Sequence, residues 1–120
     1  MIADPAYLVG VSGAIGAVCR YLVGEAVPTE SLPFGTLIVN VVGSFVLAFV
    51  TFLRVDDGLL LLVGTGVCGS FTTFSSFAFD TVRLGEEGKG YRAVAYATAN
   101  LVGALLAIGL AWSASTLVVG

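Results

Sequence analysis

The sequence predicts an all-α membrane protein of four transmembrane helices, and three observations predict it. Of 120 residues, 58% are hydrophobic and 11% charged, and the mean hydropathy is +1.03, outside the range of soluble globular domains. The apolar residues gather into four runs of about 20 residues or more, the length that crosses a hydrocarbon core of about 30 Å. The segments between the runs leave no room for a soluble domain, so residues 1–120 read as one four-helix transmembrane unit.

The first span is expected over residues 7–27. Pro28 ends it, and Thr29, Glu30, Ser31 and Pro33 follow as a polar turn. No lysine or arginine precedes this span, so a cleavable leader is not expected. The second span is expected over 34–53. Arg54, Asp56, Asp57 and Gly58 then make a turn tight enough to set spans two and three side by side and antiparallel. The third span is expected over 59–84, a loop over Gly85–Gly90, and the fourth span over 91–118. Arg83, Lys89 and Arg92 flank the third loop and Arg54 alone flanks the second. The positive-inside rule therefore favours a cytoplasmic third loop, while a margin of two charges also admits insertion both ways round.

The net charge of −3 makes nucleic acid a poor partner. The chain has no histidine and no paired-cysteine motif, so neither a metalloenzyme nor a disulfide framework fits. Cys19 and Cys68 lie in apolar runs and are expected as buried packing thiols.

Polar residues at membrane depth carry the functional signal. In the third span, Gly64, Gly66 and Gly69 alternate with Thr65, Ser70, Thr72, Thr73, Ser75 and Ser76. Such a stretch either packs closely against another helix or breaks, and a break frees carbonyls that need a partner, a cation among them. Phe74 and Phe77, three apart, share a helix face among these hydroxyls. The positive rim of an aromatic ring touches an anion weakly, which suits conduction, while ordinary packing explains the pair equally well. Thr36, Asn40 and Ser44 form a polar stripe on the second span. The Asn40 amide offers either donors to a dehydrating anion or an interhelical hydrogen bond. Tyr96, Asn100 and Gly103 repeat the theme on the fourth span, which Ala104 and Ala107 continue without polarity. Arg20, inside the first span, is an anchor or an anion attractor, and Asp80 is placed to pair with Arg20 or Arg83 or to border a mouth.

Three segments together resemble the CrcB/Fluc family of fluoride channels: Gly13–Tyr21, Pro33–Asn40 and Gly66–Phe77. They occur in order and cover most of the chain. The resemblance implies an antiparallel, dual-topology dimer in the plasma membrane, with two narrow fluoride pathways at the subunit interface and the third helix broken near mid-membrane. It implies that Asn40, Phe74, Phe77, Thr73 and Thr36 line the fluoride route. It also implies that the backbone carbonyls of Gly69 and Thr72 from both subunits hold a structural sodium ion that is not transported. Arg20 and Asp80 match the family's first-helix arginine and third-helix acid. Ala104 and Ala78 stand where the family often has hydroxyls, so the partner is an identical chain or a related subunit that supplies them. No reaction is catalysed on this view.

Two other classes compete. A small multidrug transporter of four helices needs a carboxylate inside its first span, where this chain has Arg20 and keeps Glu25 at the end. A non-conducting scaffold subunit would use the glycine-rich seams for packing alone.

Overall fold

The computed structural model describes residues 4–28 and 32–119. The polar turn expected at Thr29, Glu30 and Ser31 lies outside the described residues. Four helical stretches are long and apolar enough to cross a membrane: Pro5–Ala26, Phe34–Phe52, Asp57–Glu86 and Gly90–Val119.

Helix α1 (Pro5–Ala26) opens with Asp4, whose carboxylate accepts from the Ala6 N–H at 2.8 Å, and with Pro5 in the first helical turn. Both are residues that helix starts favour. It closes at Val27, which is extended ahead of Pro28 as the residue before a proline must be. Helix α2 (Phe34–Phe52) follows Pro33 and ends in a tight turn in which Arg54 takes φ +58°. The turn is shorter than expected. Asp56 Oδ1 accepts from the Leu59 N–H at 2.9 Å, and this cap starts α3 (Asp57–Leu59) early, drawing Asp57 and Gly58 into the helix.

The third span then continues as a π-helix over Leu60–Cys68 and as α4 (Gly69–Phe71). Thr72 is extended, with φ −79° and ψ 159°, and the helix resumes only at α5 (Ser75–Glu86). The span is therefore broken at 72–74. Gly88, at φ +76°, turns the chain into α6 (Gly90–Val119).

The break divides the packing. Before it, the third span lies against α1; after it, against α6, which also runs along α2. On α1 only Ser12, Gly13 and Gly16 are buried. A Cβ at Gly16 would overlap the Val67 carbonyl, one at Gly66 would overlap the Ser12 hydroxyl, and one at Gly13 would come within 3.0 Å of Ser70 Oγ. These glycines thus serve the packing seam, where small residues let two backbones approach. Gly64, Gly66 and Gly69 themselves remain helical.

At the other end Leu84, Ala93 and Tyr96 form a core joined by Leu32, Leu37 and Phe77. Cys68 is buried as expected, whereas Cys19 is exposed. The reason is that α1 buries a stripe too narrow to include it. The chain measures 52 × 33 × 20 Å, so its thinnest dimension is about two helix diameters.

Candidate functional site

The break is compensated by side chains from the two helices across from it. In an unbroken helix the Thr73 N–H would bond to the Gly69 carbonyl. Here it donates instead to Asn40 Oδ1 at 2.8 Å, and Asn40 Nδ2 returns a bond to the Thr73 carbonyl at 3.0 Å. Asn40 thus pairs with Thr73 as one strand residue pairs with another, satisfying two backbone groups that cannot be left bare inside a membrane. Its second amide hydrogen goes to Asn100 Oδ1 at 3.1 Å, and Asn100 Nδ2 donates to the Tyr96 carbonyl at 3.0 Å. Thr73 Oγ1 accepts from the Ser76 N–H at 3.1 Å and so caps the restart of the helix.

An open groove of about 610 Å³ lies beside this clasp. Its polar lining comes from Asn40, Ser44, Thr72, Thr73 and Asn100, its small-residue lining from Gly43, Gly69, Ala97 and Ala104, and its apolar lining from Leu47, Cys68, Phe74, Phe77 and Leu101. Among the described residues no charged side chain lines it. Phe74 sits in the break, one residue ahead of α5, and Phe77 in the first turn of α5. Phe74 has helical backbone angles and its carbonyl accepts from the Ala78 N–H at 2.8 Å, so the two share a face as their spacing suggests, and their rings meet at 5.7 Å and 50°. Phe77 is half-buried and leans on Tyr96 at 5.8 Å. Phe74 is 78% exposed in the single chain.

The structure brings Asn40, Gly69, Thr72, Thr73, Phe74 and Phe77 to this one groove. Thr36 is not among them. Its hydroxyl donates to Asp80 Oδ2 at 3.2 Å, the same oxygen that accepts from the Tyr96 hydroxyl at 3.4 Å. Asp80 pairs with Arg83 at 3.8 Å, and Arg20, on α1, lies outside the groove and has no ion-pair partner among the described residues.

A structural cation has a chemically suitable donor set here. Among the described residues, no backbone N–H bonds the carbonyls of Gly69, Ser70 or Thr72, and no group of three or more His, Cys, Asp or Glu offers another metal site. Uncharged carbonyl oxygens suit a hard, weakly held cation.

The family model described as "CrcB-like protein, Camphor Resistance (CrcB)" matches residues 7–112, which include every element of this site. The chain belongs to this family. Similar CrcB proteins include "Fluoride-specific ion channel FluC 1" of Halobacterium salinarum, 53% identical over 111 residues, covering 92% of this chain and 93% of that protein. "Fluoride-specific ion channel FluC 2" of Haloarcula marismortui is 52% identical, covering 91% and 92%. "Fluoride-specific ion channel FluC" of Thermotoga maritima is 46% identical over 78% of this chain and 80% of that protein. Within this CrcB chain, Asn100 does more than the sequence alone implies: it does not merely continue a polar lining but bonds Asn40. Its signal was present: Asn40 and Asn100 are the only asparagines, and glutamine is absent.

Proposed function

We propose that the protein is a fluoride-specific ion channel of the plasma membrane through which cytoplasmic fluoride leaves passively. The observation that carries this is the near-full-length likeness to proteins named fluoride-specific ion channels, in a chain whose mostly apolar groove carries a few hydroxyl and amide groups and, among the described residues, no charged side chain. Fluoride is small and gives up its water only to groups that replace it. Hydroxyls and ring edges do so without the hold of a full charge, so an ion that enters can also leave. The inside-negative potential of a cell drives an anion outward.

Asn40, Phe74, Phe77 and Thr73 face this path, with Thr36 hydrogen-bonded to Asp80 outside the groove and Arg20 as an anchor on the first helix. Two chains inserted in opposite orientations form the working unit, each closing the groove that the other leaves open. The partner is a second copy or a related subunit that supplies hydroxyls where this chain has Ala104 and Ala78. The carbonyls of Gly69 and Thr72 from both chains hold a structural sodium ion, whose positive charge favours an anion nearby. The unpartnered state of these carbonyls supports that assignment. Among the described residues no carboxylate lines the groove, as exchange of cationic drugs for protons would need.

The test is fluoride efflux from liposomes containing the purified chain, followed with a fluoride electrode. Fluoride is expected to leave and chloride to stay. The proposal fails if fluoride is retained both with this chain alone and with a related subunit added.

A further inference from the structure

Two backbone groups of fixed polarity decide how the Asn40 and Asn100 amides point. A backbone N–H only donates, so the Asn40 atom 2.8 Å from the Thr73 nitrogen is Oδ1. That turns Nδ2 toward the Thr73 carbonyl and toward Asn100. A carbonyl only accepts, so the Asn100 atom 3.0 Å from the Tyr96 carbonyl is Nδ2, and Oδ1 is left facing Asn40 at 3.1 Å. Flipping either amide would set donor against donor and acceptor against acceptor. Asn100 is 7% exposed and Asn40 is half-buried, so Asn100 stands behind Asn40 as its support.

We infer that Asn100 is a positioning residue for conduction, an assignment that rests on the proposed fluoride function. Anchored on the fourth helix through the Tyr96 carbonyl, it accepts one Asn40 hydrogen and fixes the plane of that amide. The other face of the same amide holds Thr73, so the geometry of the break, including the freed Gly69 carbonyl and the placement of Phe74 at the groove, depends on a contact made one helix away. A hydroxyl at position 100 would bond the same Tyr96 carbonyl, four residues back along the helix, but would hold its acceptor farther from Asn40.

The assignment is tested with the full chain in lipid, comparing the wild type with Asn100→Leu and Asn100→Ser. With asparagine labelled in ¹⁵N, the wild type shows only two side-chain amide pairs, because the chain has two asparagines and no glutamine. In Asn100→Leu the single remaining pair is expected to show one Asn40 proton shifted upfield by loss of its acceptor. Fluoride efflux is expected to fall about 10- to 100-fold, the usual effect of removing a group that orients a functional side chain. Asn100→Ser, which keeps an anchored hydroxyl, is expected to recover part of both. Unmoved Asn40 resonances in both variants, or wild-type efflux in Asn100→Leu, would overturn the assignment. Should the wild type itself carry no fluoride, the channel function fails instead. The amide spectra tell the two failures apart, since the Asn40 shift in Asn100→Leu would persist without any flux.

Discussion

Asn40 does two things at once: it lines the groove and it holds the broken helix together. Changing it therefore cannot separate function from folding. Asn40→Asp would replace the Nδ2 donor with an oxygen facing two acceptors, the Thr73 carbonyl and Asn100 Oδ1. Each mismatch costs about 1–3 kcal/mol, so fluoride efflux and thermal stability should fall together. Phe74 is the cleaner probe. At 78% exposure it contributes little to the fold of the single chain. Phe74→Ile should abolish efflux while leaving elution and melting temperature unchanged, and a variant that still conducts would remove Phe74 from the pathway. Asn40 was legible in the sequence as an amide at membrane depth; its grip on Thr73 was not, because that bond joins residues 33 apart.

At the scale of the element, the glycines of the third span and the break have separate causes. Gly66, like Gly13 and Gly16 opposite it, is kept small by the approach of α1 to the π-helix, while the break falls at 72–74, where Asn40 takes the Thr73 N–H. Gly16→Ala should therefore force the helices apart at Val67 and lower stability by about 1–3 kcal/mol. Gly10→Ala, on the same helix with nothing within 4 Å, should be neutral or gain up to about 1 kcal/mol in helix propensity. Thermal unfolding of the two variants in detergent checks the contrast. The expectation of a break was sound, but glycine alone did not locate it: an unpartnered glycine helix and a packed one have the same sequence.

Over the whole molecule, the groove opens along one side of a slab 20 Å thick. On the proposed paired arrangement, a second chain closes the groove that this one leaves open. Purified protein is accordingly expected to show a protein mass of about twice 12.3 kDa by light scattering after the detergent is subtracted. A conducting species of single-chain mass would refute the paired arrangement. The α1 surface, with Val11, Ile15, Val18 and Leu22 exposed, is apolar enough to meet either lipid or a second chain.

The sequence by itself determined what is local. Runs of apolar residues specified four spans, prolines and polar turns specified roughly where they are separated, and three motifs in order pointed to the family. Only the tertiary structure decided which polar groups are spoken for. Thr36 belongs to Asp80, Asp80 to Arg83, and both Asn40 hydrogens to partners inside the chain. A side chain's type says what it can bond, but in a membrane, where water satisfies nothing, its actual partner depends on which helices the fold brings within about 3 Å.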